Sequence, residues 1–311
     1  MATDAHAAMT ARKVAAARLS VMSNTLLTVT KLAVGIATGS VSVLSEAAHS
    51  ANDLVAAGIA FFSVRVSDKP PDLRHPYGHG KVESVSGAIE AALIFGAAAY
   101  IIYEAVKKLL EGTGPLMVLP GIAVMAFSTL VNVLVSRHLF RVAAETESLA
   151  LKADGEHLRT DVLTSLGVLA GLGMVYVTGQ TVLDPLIAIA VALVICAAAF
   201  RITREAMHGL LDTRLPEGDL EVVREVLDNE PAVLAYHKLR SRRSGSSRHI
   251  DAHVLVADDL TLAEAHQLTE ELEDRIRERL PRAEVMLHTE PHDAEMAHQR
   301  EVHGNNTDAA R

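Results

Sequence analysis

A single cysteine, Cys196, stands inside an apolar run, so the chain can form no internal disulfide and has no cysteine-rich metal site. Any metal ligands must come from the 15 histidines and the carboxylates. Excess positive charge is also missing. The 29 Lys and Arg stand against 38 Asp and Glu, and the formal net charge of -9 argues against nucleic acid as a partner. The HExxH motif of zinc hydrolases is absent. The first residues lack an apolar core followed by a small-residue cleavage site, since polar and basic side chains recur through Arg18, and no cleaved signal peptide is expected. Aromatic residues make up only 4% of the 311 residues, whereas 50% are hydrophobic and mean hydropathy is +0.23. That profile is too apolar for an ordinary soluble protein of this length and predicts a polytopic membrane protein.

Apolar stretches long enough for a bilayer crossing, roughly 20 residues each, lie near 16–38, 41–66, 84–109, 116–138, 152–177 and 183–206. They predict an all-α, six-helix transmembrane bundle over residues 1–207. Basic residues flank most of the ends, among them Arg12, Lys13, Arg18, Arg65, Lys69, Arg137, Arg141, Arg201 and Arg204. The positive-inside rule then places both termini in the cytoplasm of a multi-pass protein of the cell's inner or plasma membrane, with Lys107 and Lys108 as the exceptions. The fifth segment begins with Lys152, Asp154, Glu156, His157, Arg159 and Asp161 within three turns. Such a helix lines a wet cavity or faces protein.

Two repeats sit inside these stretches, His49-Ser-Ala-Asn-Asp53 and His157-Leu-Arg-Thr-Asp161. Positions i and i+4 share one face of a helix, so each repeat aims an imidazole and a carboxylate at the same point. An Asp at the centre of a membrane helix costs about 2.5 to 3.5 kcal/mol, so such acids are functional candidates. One HxxxD alone is more readily read as a chance pair or an interhelical His–Asp hydrogen bond; two together supply N, O, N and O donors suited to a tetrahedral zinc ion. Glu46 lies on nearly the same face and is a further ligand, a proton acceptor or a structural hydrogen-bond partner.

A second group, Asp72, His75 and His79, falls in the Pro- and Gly-containing loop between the second and third helices. It could close on one metal, or its imidazoles could be solvated.

After Arg204 the pattern becomes soluble. A helix to about Asn229, strands around 233–240 and 248–256, a helix from Thr261 to about Leu280 and a strand over 284–289 predict a small αββαβ domain over residues 208–291. Thr261 and Glu264 form a capping-box pattern. Residues 292–311 lack an apolar pattern and are expected to be a disordered tail. Strand alternation turns His253 away from Ile250, Ala252 and Val254, and places His288 and Glu290 on one face, opposite Leu287. With His237 and His266, these side chains could converge on metal or form a solvated, His-rich surface.

Over about residues 10–291 the chain resembles the cation diffusion facilitator family. The resemblance rests on the run Gly39-Ser-Val-Ser-Val-Leu-Ser-Glu-Ala-Ala-His49-x3-Asp53, on His79-Gly-Lys81-x-Glu83, on His157-x3-Asp161 and on the αββαβ domain, which would be ferredoxin- or metallochaperone-like. It implies a homodimer in the lipid bilayer, no enzyme, that exchanges cytoplasmic Zn2+ for protons by alternating access. It further implies a transport site at His49, Asp53, His157 and Asp161, a loop site at Asp72, His75 and His79, and a binuclear structural or regulatory zinc site at His237, His253, His266, His288 and Glu290. Glu290 replaces the Asp expected there in the bacterial relatives. His49 favours zinc, with cadmium and cobalt also admissible, over iron or manganese. An intramembrane metal-dependent hydrolase or a membrane metal sensor is the alternative.

Overall fold

The computed structural model describes residues 2–38, 41–111, 119–180 and 182–303, and the chain divides into two compact units, Met1–His208 and Gly209–Arg311. The first unit contains six long helices among the described residues: α1 (Ala2–Thr38), α2 (Val41–Ser67), α3 (Lys81–Glu111), α4 (Leu119–Thr146), α5 (Leu149–Thr178) and α6 (Leu183–Leu210). Pro70 and Pro71 end α2, because proline lacks the amide needed to continue a helix and restricts the residue before it. Ser148 caps α5, its hydroxyl accepting the Leu151 amide at 3.4 Å. Several helices overrun the segments read from hydropathy, α1 most of all. Hydropathy registers only the apolar part of a helix, and polar turns continue the same hydrogen-bond ladder past it.

The unit is turned inside out relative to a soluble protein. Met22, Leu26, Val29, Phe62, Tyr100, Leu130 and Leu193 are exposed, while Asn24, Lys31, Asp53, Glu83, Glu90, Asp154 and His157 are buried. Large exposed apolar surface around buried charged and polar groups is the arrangement a lipid environment selects. Among the described residues, α3 and the Pro185–Leu210 stretch of α6 are apolar enough on their own to cross a membrane, at mean hydropathy 1.8 and 2.5. α2 and α5 pack against each other, and α3 packs on both. Val64 of α2, Leu139 of α4 and Leu151 and Leu158 of α5 share one apolar cluster with Ala16 and Ala17 of α1. α6 approaches α5 at Gly167, where an added Cβ would lie 2.7 Å from Val191 Cγ2.

The second unit contains α7 (Glu217–Asp228), β1 (Ala235–Ser244), β2 (Ser247–Val256), α8 (Leu262–Arg279), β3 (Ala283–Pro291) and α9 (His292–His303). The sheet order is β1-β2-β3, with β1 and β2 antiparallel and β2 and β3 parallel. Gly245, at φ 59, supplies the left-handed turn between β1 and β2. A parallel pair needs a crossover, and α8 provides it. The predicted capping box is present: Thr261 accepts the Glu264 amide, and Glu264 accepts the Thr261 amide. Ile250, Ala252, Val254, Val285 and Leu287 form the core with Val223 and Leu227 of α7 and Leu272 and Ile276 of α8. Residues 292–303 depart from the expected disordered tail by forming α9, whose Asp293 amide donates to Asp258 Oδ1 at 2.8 Å. That carboxylate anchors the helix N-terminus from a neighbouring turn, a contact no local pattern reveals.

Candidate metal centres

The buried face of α2 meets that of α5 at Asp53, His157 and Asp161, each offering a ligand atom within 4.8 Å of the others. Helical spacing puts His157 and Asp161 on one face, and the α2–α5 contact brings Asp53 opposite. His157 Nε2 lies 3.3 Å from Asp53 Oδ1, and its buried Nδ1 has no hydrogen-bond partner among the described residues. Imidazole and carboxylate donors crowded in an apolar interior suit a divalent cation, which would neutralise the acids. Glu46 and His49 fall on α2, but their side chains lie outside the described residues.

Asp72, His75 and His79 form a second three-ligand group, also within 4.8 Å of one another, in the loop between α2 and α3. Gly78, at φ +76, turns the chain back, and the two imidazole rings lie 4.4 Å apart between centroids, tilted by 46°. Asp72 Oδ1 accepts the amides of Arg74 and His75 at 2.8 and 2.7 Å. The His75 amide is the largest influence holding this carboxyl below the usual Asp value, followed among the lowering contacts by the Arg74 amide and the His75 ring. The carboxylate is therefore ionised and oriented before any metal arrives.

The third group ties the three strands of the small sheet together. His237 of β1 and His253 of β2 are register partners, and β3 runs alongside β2 to bring in Glu290. Glu290 spans both rings, its Oε2 at 2.9 Å from His237 Nε2 and its Oε1 at 2.7 Å from His253 Nδ1. Burial alone would raise the Glu290 carboxyl, but the contacts with His253 and His237 outweigh it and hold the group below the ordinary Glu value.

Of the two other predicted members, His288 adjoins this group and His266 does not. His288 is exposed, with its ring 4.8 Å from that of His253 and its Nε2 3.6 Å from Glu290 Oε1. His266 projects from α8 beside Glu270, largely in solvent.

Sequence reasoning also counted Lys13 among the cations at a membrane edge. Instead it is fully buried, its Nζ 2.8 Å from Asp68 and 3.0 Å from Glu83. Glu83 further accepts the Ser67 hydroxyl at 3.1 Å and the Leu149 amide at 2.8 Å, joining α1, the end of α2, α3 and the start of α5. The available signal was the acidic Asp68 and Glu83 bracketing a loop next to a basic helix; their partner lies 55 and 70 residues away in the chain.

A helical unit with lipid-type surface and buried imidazole–carboxylate ligands, followed by a small α+β unit with a His-rich cluster, defines a membrane protein that handles metal cations. Residues 17–211 match the cation efflux transmembrane domain, and residues 215–292 match the cytoplasmic domain of cation efflux proteins. An uncharacterized transporter of Synechocystis sp. is 37% identical over 262 residues, 84% of this chain and 84% of that protein. The cation-efflux pump FieF of Yersinia pestis is 34% identical over 286 residues, 90% of this chain and 94% of the pump. The metal-bound C-terminal domain of the CzcD transporter from Thermotoga maritima matches at 28% identity and TM-score 0.24, covering 24% of this chain and 88% of that one. The chain belongs to the cation diffusion facilitator family and is a cation efflux transporter.

Proposed function

We propose that the protein exports Zn2+ from the cytoplasm in exchange for protons, as a homodimer in the inner or plasma membrane with both termini cytoplasmic and α1–α6 as six spans. The observation that carries this reading is the convergence of Asp53, His157 and Asp161, buried between α2 and α5. His49, one turn before Asp53, completes a ligand set of two imidazoles and two carboxylates. Zinc binds only the deprotonated forms of these groups, so protons and metal compete for the same lone pairs. Rocking of the bundle carries the site from cytoplasmic to outward access, where protons displace the metal. The mixed N and O donors suit zinc over manganese, while cadmium and cobalt fit the same tetrahedron.

Asp72, His75 and His79 form a second, loop metal site. The cytoplasmic group of His237, His253 and Glu290 fits a resident zinc ion, since its nitrogens and oxygens already converge. In the homodimer His266 and His288 complete that binuclear site, and bound zinc would cross-link the three strands.

Reconstitution in liposomes with a pH jump tests the reading. Zinc flux should follow the proton gradient and vanish in Asp161→Ala. Flux undiminished in that variant, or metal-dependent partner binding without flux, would refute transport through this site. Competition among zinc, cadmium, cobalt, manganese and iron then ranks the cations.

A further inference from the structure

The helical unit buries another acidic pair, separate from the His and Asp repeats. Glu90 of α3 and Asp154 of α5 are both 0% exposed. Their chain neighbours Ala91 and Ala153 pack together with Ile202 of α6, and the two carboxyls act on each other electrostatically. The Ser86 hydroxyl donates to Glu90 Oε1 at 3.4 Å. Glu90 Oε2 and both Asp154 oxygens are buried without a hydrogen-bond partner among the described residues. A second unpartnered group points at the pair: the Ser20 hydroxyl of α1, fully buried, sits beside Asp154 short of hydrogen-bond geometry.

The charges around the pair are mostly of the wrong sign to neutralise it. Asp154 feels His157 and Asp161 of its own helix and Asp53 of α2, while α6 presents apolar Ile202. No Lys or Arg is among the largest influences on either acid. Two ionised carboxylates cannot persist side by side in an apolar interior, because each charge loses its hydration and the two repel. A hydrogen ion on one of them removes a charge and supplies the donor that the orphaned oxygens lack.

We infer that Glu90, with Asp154 beside it, is a proton-binding site distinct from the metal ligands, and that its proton is among those exchanged for the metal. The second half of the inference rests on the proton-coupled export proposed above; the first half does not. Each transfer breaks one O–H bond and forms another, among Glu90, Asp154 and water, with no change of oxidation state.

Infrared difference spectroscopy on the full chain in liposomes at neutral pH tests the first half. A protonated-carboxyl C=O band that shifts in deuterium oxide is expected, and Glu90→Gln should remove it. Asp154→Asn, which takes away the neighbouring charge, should move the band. Absence of the band, or a band unaltered by Glu90→Gln, overturns the proposal. Counting protons moved per zinc tests the second half, with a lower ratio expected in Glu90→Gln. An unchanged ratio would make Glu90 a structural acid and overturn it. Were the parent protein to move no protons with zinc, the export reading would fail, and the infrared result would still decide the proton site.

Discussion

Removing the Glu83 side chain should loosen four helix segments at once. In Glu83→Ala, Lys13 keeps Asp68 at 2.8 Å, so the buried ammonium is not stranded. The Leu149 amide loses its acceptor, while the Ser67 hydroxyl keeps the Val64 carbonyl at 3.2 Å. Breaking a buried pair costs about 3 to 5 kcal/mol, and each orphaned buried group costs about 1 to 3 kcal/mol. Because Asp68 still compensates Lys13, a total near the lower figure, about 1 to 3 kcal/mol, is expected rather than the sum. Lys13→Met should be worse, since it leaves two buried carboxylates with no cation. The double variant Lys13→Met/Glu83→Gln should then cost less than its single changes added together, by a coupling of about 0.5 to 3 kcal/mol. The chain has no tryptophan, so helix content by circular dichroism during denaturant titration in detergent is the natural readout. A Glu83→Ala effect within about 0.5 kcal/mol of zero, or strict additivity in the double variant, would refute the argument that these charges form one buried unit.

Further outcomes follow from the same geometry. Gly167→Ala places a methyl against Val191 and should destabilise by about 1 to 3 kcal/mol, with Val191→Ala restoring part of the loss in a thermal scan. Zinc at a hundredfold excess over its dissociation constant should stabilise the cytoplasmic unit by about 2.7 kcal/mol; melting that responds to zinc equally in His253→Ala would place the ion elsewhere. Hydrogen bonds from the Thr261 hydroxyl and amide hold the Glu264 carboxyl below its ordinary value. A depressed acid stabilises the fold above its unfolded-state value, and the contribution disappears as pH falls through the lower, folded value. Hydrogen exchange in the first turn of α8 should therefore quicken in acid, and Glu264→Gln should abolish that dependence. His157→Ala should remove both zinc binding and flux in liposomes, whereas binding retained at full stoichiometry would exclude this imidazole as a ligand.

The helices, the order α7-β1-β2-α8-β3 and the α8 capping box follow from local patterns, because helical period, strand alternation and caps involve residues within a few positions of one another. The same locality explains the errors. α9 depends on Asp258 reaching an amide 35 positions away, and Lys13 looked like an interfacial cation because its acidic partners belong to other helices. Strand alternation put His288 on one face with Glu290, and only the packing showed that within one chain Glu290 joins the rings of His237 and His253 closely.

By itself the sequence determined the donor chemistry: His and Asp four apart on apolar helices, Asp and His in a short loop, and His and Glu on alternating strand positions. Those spacings set which side chains leave an element on the same face. Only the tertiary structure decided which faces meet. Asp53 and His157 come together across 104 positions because α2 and α5 pack, and Glu90 finds Asp154 because α3 packs on α5. Packing is set by the shapes and burial of whole helices, which no single stretch of the chain encodes.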